Sequence, residues 1–273
     1  MSTQDSSGQE NLAPENSELE VITPDWPAPA NVHAYSTTRL HGMSEGVFSG
    51  LNLALHVGDE PEVVEQNRQH LRSSLKLPAD PYWLNQVHQA SAVNIAEQTS
   101  GITPDADASF SLDNNQVCVV MTADCLPVLI CNRAGNKVAA AHAGWRGLAE
   151  GILESTISAL DETADQLLVW LGPAIGPDSF EVGDDVRQAF FTKFEKMNLP
   201  EQYASDVASA FVENKPGHYL ADIYQLARLT LKSIGIEAVY GGEHCTFDDA
   251  NHFYSFRRDG KTGRQASLIW FCD

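Results

Sequence analysis

VCVVMTA (117–123), PVLICN (127–132), KVAAAHA (137–143) and LLVWLG (167–172) are four apolar runs of strand length within one stretch of chain. None alternates between apolar and polar residues. Nearly continuous apolar runs of this length mark strands covered on both faces. After Trp145 the period changes. Leu148, Ile152, Leu153, Thr156, Ile157 and Leu160 recur at helical spacing, with Glu150 and Glu154 off that stripe, which predicts a helix. A second helix is expected over about 182–197. A third is expected from an N-cap at Asp222, with Leu220, Ile223, Ala227, Leu231 and Ile234 on its apolar face and Gly235 as its stop. QASLIWF (265–271) reads as a final strand. Strands and helices mix without strict βαβ alternation, so the expected class is α+β with a mixed sheet.

Outward from this core, residues 1–20 are polar, acidic and rich in Ser, Gln, Asn and Glu. They are expected to be a disordered tail ahead of a single domain over 21–273. The tail has no basic start and no apolar run, so it does not read as a signal peptide. The apolar stretch around 117–131 is interrupted by Thr122, Asp124 and Pro127, so no membrane span is expected. Five cysteines, at 118, 125, 131, 245 and 272, fit reduced thiols in a cytoplasmic protein better than a disulfide framework. With 37 acidic and 17 basic residues the formal charge is −20, which disfavours nucleic acid and anionic membranes as partners. An anionic substrate would need a local cluster of cations.

Three places set polar residues at the ends of apolar strands, where an unpaired buried polar group is costly. Asn85-Gln86-Val87-His88 closes the run Tyr82-Trp83-Leu84. Thr122-Ala123-Asp124-Cys125 closes one strand just before another. His142 ends KVAAA ahead of Ala143-Gly144-Trp145-Arg146-Gly147. Loops at strand ends are where a rigid sheet presents side chains to a common cleft. Two imidazoles and a thiolate form a coherent metal set, since catalytic zinc keeps three N/S ligands and an open position for water. His88, Cys125 and His142 are therefore candidate zinc ligands, with copper as the alternative metal. Asp124 is a candidate ligand-orienting carboxylate or general base.

A lone strand-end His is more often structural than a ligand, and Cys is often inert packing. The separations between these residues match no compact metal motif. A rival chemistry also uses them, with Cys125 as a thiolate nucleophile, His142 as its base and Asp124 or Gln86 as orienter.

LGPAIGP (171–177) is neither a P-loop nor a dinucleotide fingerprint and reads as a rigid turn that could wall a pocket. Ser255 to Arg264 packs four cations into ten residues. It reads either as a solvated hairpin turning at Asp259-Gly260 or as an anion-binding loop. Arg39, Arg146 and Arg258 are candidate phosphate ligands. Arg146 stands at an expected helix start, where free N–H groups also meet anions.

In order, NQVH, TADCLPVL, AAAHAGWRG, LGPAIGP with FEVG, and FYSFRRDGKTGRQASLIW resemble the YfiH-like family, also called the laccase-domain or polyphenol-oxidase-like family. Some members are called peptidoglycan editing factors. STTR (36–39), Gly42 and LNLALHVGDEPEVVEQNR extend the resemblance, which runs from about 31 to 271. It implies a layered α/β/β/α fold and zinc on His88, Cys125 and His142. It also implies phosphorolysis of adenosine, inosine and methylthioadenosine with inorganic phosphate, together with adenosine deaminase activity. An older assignment made members copper-dependent laccases. Under this resemblance Arg39, Asn52, Gln86, Arg146 and Arg258 are candidate substrate or phosphate ligands. Phe180 and Phe253 are candidate faces for a purine. The chain departs from the family at Gln89, where Gly is frequent, and at Asp178-Ser179, where many members carry Cys. Two other readings remain, a cysteine hydrolase acting on peptidoglycan precursors and a non-catalytic binding protein.

Overall fold

A computed structural model describes residues 19–98, 101–197 and 199–273. Two sheets face each other. The six-stranded sheet runs, edge to edge, Val239–Gly241, Leu167–Leu171, Leu126–Asn132, Val138–Ala143, Ala108–Ser111, Ala92–Asn94. Its two outer pairs are parallel and its inner pairs antiparallel. The four-stranded sheet is antiparallel, in the order Val21–Ile22, Val32–Thr37, Gln265–Phe271, Cys118–Thr122. A small antiparallel sheet of Phe211–Lys215, His218–Ala221 and Glu181–Gly183 lies apart from both.

The two-residue period of a strand divides these side chains between layers. Leu168 and Trp170 join Leu129, Cys131, Val138 and Ala140 in the space between the sheets, where they meet Cys118, Val120, Ile269 and Phe271. Leu167, Val169 and Leu171 point the other way, with Val128, Ile130, Ala139 and Ala141, toward the helices Ile152–Leu160, Asp184–Lys196 and Ile223–Ser233. Val119, Met121, Leu268 and Trp270 cover the outer face of the four-stranded sheet, against Leu71 of the helix Pro61–Ser74. The order is helix, sheet, sheet, helices. Each fully buried Leu, Ile or Val in these layers contributes about 1.5–3 kcal/mol of transfer free energy. This is why the runs read as continuous rather than alternating.

Several local expectations are met. Asp222 Oδ1 accepts from Gln225 N at 2.9 Å and caps Ile223–Ser233. The helix expected over 182–197 forms as Asp184–Lys196. Others are corrected. The stripe after Trp145 is two helices, Trp145–Glu150 and Ile152–Leu160, because Gly151 at φ 104° breaks the run. The Asp259-Gly260 hairpin is instead a short helix, Phe256–Asp259, capped by Ser255. Residues 1–18 of the expected tail lie outside the described residues. Leu19 and Glu20, however, belong to the fold. Leu19 packs on the outer core, and the Glu20 carbonyl accepts from both N and Oγ1 of Thr38. Among the described residues, no helix is long and apolar enough to cross a membrane.

Candidate metal centre

Sheet register builds the centre. The strands Leu126–Asn132 and Val138–Ala143 pair with Leu126 opposite Ala143 and Pro127 opposite His142, which sets Cys125 beside Gly144. A parallel bridge of Asn85 with Asp105 brings the turn carrying His88 against the segment 105–107. One ligand atom from each of His88, Cys125 and His142 then falls within 4.8 Å of the others. Cys125 Sγ lies 4.0 Å from His88 Nε2, and the two imidazoles meet edge to face at 4.7 Å between centroids. Gly144 leaves room for this, since a Cβ there would stand 3.0 Å from Cys125 Sγ and 3.2 Å from His88 Cδ2.

The arrangement is held from behind by Asp107, which is fully buried. Its Oδ1 accepts from His142 Nδ1 at 2.8 Å and from His88 N at 2.9 Å. Its Oδ2 accepts from Gln89 N at 2.8 Å and Val87 N at 3.2 Å. Three successive backbone N–H groups thus converge on one carboxylate, the nest geometry that favours an anion. The turn they form places His88 at φ 62°, a left-handed conformation that a non-glycine residue adopts only when its surroundings impose it. With Nδ1 of His142 engaged, the opposite ring nitrogen is the one free for the centre.

The charges are coupled. Burial acts to raise the Cys125 thiol, but the charge and hydrogen bonding of His142 and His88 outweigh it and bring the pKa down to about 6. Burial acts to lower His142, but Cys125 and Asp107 overcome it and raise the pKa to about 9. Asp107 is held below the usual carboxylate range against its burial, by His142 and by the N–H groups of Gln89 and His88. A thiolate beside imidazoles is the electron-rich set that a metal ion displaces protons to reach. Tetrahedral zinc bonds of about 2.0–2.3 Å require donor separations near 3.5 Å, so the 4.0 Å gap fits with a small inward shift of the side chains. The residues fit a metal ion.

The other sequence candidates fare differently. Asp124 does not orient a histidine. Its Oδ1 accepts from Thr246 Oγ1 and its Oδ2 from Arg257 N, both at 2.7 Å, and it stands at φ 89° as the hinge that presents Cys125. Asp107, which the sequence did not single out, has the orienting role expected of Asp124. Asn52 is fully buried, with its amide given to Asp59, Ala54 and Arg264, so no edge is left for substrate. Gln86 clamps both N and O of Met121 at 2.8 Å. Arg258 gives its guanidinium to the carbonyls of Thr246, Phe247 and Phe253 and to Asp259, which fixes the loop rather than a phosphate. Arg39 reaches the carbonyls of Ser49 and Ala250 and lies over Tyr254. Arg146 alone of the three phosphate candidates has no protein hydrogen bond among the described residues. It is exposed, 4.3 Å above the Trp145 ring. Phe180 and Phe253 are core residues, 7% and 1% exposed, with no free face. The exposed aromatic near Cys125 is Phe256, whose neighbour Arg257 bonds Asp124. The 171–177 loop does wall a cavity. Gly176 and Pro177 line about 420 Å³ with Tyr224, Arg228, His244 and Cys245.

A family model described as "Multi-copper polyphenol oxidoreductase laccase" matches residues 33–272. A purine nucleoside phosphorylase of Pseudomonas aeruginosa is 50% identical over 92% of this chain and 98% of its own. The purine nucleoside phosphorylase YfiH of Escherichia coli is 47% identical over the same shares. Among solved structures, a Neisseria meningitidis protein superposes with a TM-score of 0.85 at 50% identity, covering 93% of this chain and 99% of that one. YlmD of Geobacillus stearothermophilus superposes with a TM-score of 0.82 at 29% identity, covering 95% and 98%. The chain belongs to the laccase-like, YfiH-type family that this model and these relatives define.

Proposed function

We propose that this protein is a zinc-dependent purine nucleoside phosphorylase of the cytoplasm, converting adenosine, inosine or methylthioadenosine plus phosphate to free base and sugar 1-phosphate, with adenosine deaminase activity at the same centre. The observation that carries this reading is the set His88, Cys125 and His142, fixed by the buried Asp107 and open to solvent at His88. The names of relatives aligned over 92% of the chain support the substrate class.

His88, Cys125 and His142 would hold a zinc ion, which would supply Lewis acidity and make water a better nucleophile near neutral pH. The protein does the rest by position. Asp107 holds the His142 ring in one tautomer, and the strained turn at His88 holds the second imidazole. Phosphorolysis breaks the C1′–N bond as a phosphate oxygen bonds to C1′, and the bond's electron pair leaves with the purine. A side chain is needed on each partner. Phe256, 58% exposed beside the Asp124–Cys125 hinge, offers a ring to the base, and the phosphate calls for a guanidinium beside the centre. Deamination replaces the C6 amino group with oxygen from water and releases ammonia. It uses the same purine placement without phosphate. The multicopper reading needs a second, histidine-rich cluster. Among the described residues one group of three metal donors forms, which favours a single-metal enzyme.

The test is incubation of inosine and adenosine with and without phosphate, with products resolved by chromatography. Release of base only with phosphate is expected, with inosine appearing from adenosine in either case. Base release independent of phosphate, or no turnover of either nucleoside, contradicts the reading.

A further inference from the structure

In a chain of net charge −20, Arg264 near Cys125, and Arg68 linked to it through Leu53, are half-buried and form no salt bridge among the described residues. Arg264 precedes the strand Gln265–Phe271, and Gln265 pairs with Thr122, which sets Arg264 alongside Ala123-Asp124-Cys125. Arg68 comes from the helix Pro61–Ser74 and reaches the same place through one residue. Leu53 O accepts from Arg68 Nε at 3.0 Å, while Leu53 N donates to Arg264 O at 3.3 Å. Asn52 Oδ1, accepting from Arg264 N at 3.0 Å, locks the two segments together.

Each guanidinium is fixed on one side and free on the other. Arg68 stacks 3.9 Å over the Trp83 ring and, among the described residues, uses only Nε in a protein hydrogen bond. Arg264 lies over Phe256 at 5.9 Å and, among the described residues, uses only Nη1, toward the carbonyls of Thr262 and Gly263. Among the described residues neither forms an ion pair, although other Arg and Lys side chains do. Burial of a charge without an ion pair is costly, and it shows in Arg68, whose pKa burial pushes down to about 10 although the charge of Glu65 acts to raise it. His56 lies within electrostatic reach of both arginines, which together with burial lower its pKa. Arg264 in turn feels the charges of Cys125 and Asp124. The Thr262 hydroxyl, in the same turn and 1% exposed, has no hydrogen-bond partner.

We infer that Arg68 and Arg264, with His56 beside them, form a tetrahedral-oxyanion site next to the metal centre that takes inorganic phosphate. Resting on the phosphorylase reading, this assigns the phosphate to residues outside those the sequence singled out. Two planar forks held by backbone carbonyls and aromatic faces can donate to different oxygens of one phosphate with little loss of side-chain freedom. The nearness of Arg264 to Cys125 places that phosphate where a nucleoside at the centre can meet it.

The test is calorimetric titration of the zinc-loaded protein with inorganic phosphate, alone and with hypoxanthine present, for wild type, Arg68→Gln, Arg264→Gln, Arg146→Gln and Arg72→Gln. Arg72 lies on the same helix and pairs with Asp80, so it controls for net charge. Phosphate should bind wild type, Arg72→Gln and Arg146→Gln alike and at least tenfold more weakly to Arg68→Gln and Arg264→Gln, with zinc content unchanged. Should either of these last two fail to fold, Arg68→Lys and Arg264→Lys keep the charge and lose the fork, and each should bind phosphate at least threefold more weakly. Equal affinity in all variants, loss confined to Arg146→Gln, or no phosphate binding to wild type in either condition overturns the assignment. So does adenosine 5′-monophosphate binding more tightly than phosphate through these arginines, which would make the site one for a nucleotide's own phosphate. Because titration reads binding without turnover, a protein that binds phosphate here yet splits no nucleoside sinks the phosphorylase reading and leaves the site standing.

Discussion

Asp107 Oδ1 accepts from His142 Nδ1 at 2.8 Å and, through the same oxygen, from the backbone N–H of His88 at 2.9 Å. One carboxylate therefore sets the ring of one candidate ligand and the main chain of the other. Asp107→Asn keeps the volume but offers one acceptor oxygen in place of two. Partners that orient metal ligands typically affect affinity 10–100-fold, so zinc affinity should fall by about that factor. Leaving buried donors unmatched should also cost about 1–3 kcal/mol of stability. A chelator competition and a urea melt check the two effects separately. Wild-type zinc affinity in this variant would contradict the coupling.

The lowered thiol pKa of Cys125 gives a pH dependence. With a pKa of about 6, the metal-free protein holds Cys125 as thiolate above that pH and as thiol below it. Its alkylation by iodoacetamide should run at a plateau at neutral pH and fall as pH drops through about 6, well below the point where a free thiol titrates. Zinc should block the reaction. A midpoint near 8.5 in the metal-free protein would show that His142 and His88 do not act on the sulfur.

Gly144→Ala tests the close packing of the centre. Its Cβ would press on Cys125 Sγ at 3.0 Å and His88 Cδ2 at 3.2 Å, in a backbone conformation open to any residue. The fold should survive with stability reduced by about 1 kcal/mol, while metal affinity drops at least tenfold. Metal analysis against the melting curve separates these outcomes.

Arg258 holds three carbonyls and Asp259 with a largely enclosed side chain. Arg258→Ala should destabilise the protein by about 2 kcal/mol and leave the KM for phosphate within twofold of wild type. A large rise in that KM without loss of stability would return Arg258 to the phosphate site.

Much of this architecture is legible in the chain because burial on both faces writes itself as continuous apolar runs. The polar residues that interrupt them, His88, Cys125 and His142, stand out for the same reason. Asp107 is not legible. It sits in DADAS next to Asp105, and nothing local separates the exposed acid that bonds Asn85 from the buried one beneath the histidines. The clue is position, since Asp107 directly precedes the fully buried strand Ala108–Ser111. Asn52 and Arg258 look like ligands in the sequence because residue type does not announce that Asn52 accepts from Arg264 N in a distant segment, or that Arg258 folds back onto the carbonyls of its own loop. Arg68 goes unmarked because its helix, Pro61–Ser74, buries only Val64, Asn67 and Leu71, too thin a stripe to read as periodic.

The account rests on one centre carrying both metal and turnover. The most direct measurement is the zinc content of purified wild type and Cys125→Ala, made beside their phosphate-dependent release of base from inosine. One zinc per chain in wild type is expected, with metal and base release both lost in the variant. A variant that keeps wild-type turnover without zinc, or a wild type that turns over inosine fully after exhaustive chelation, would contradict it.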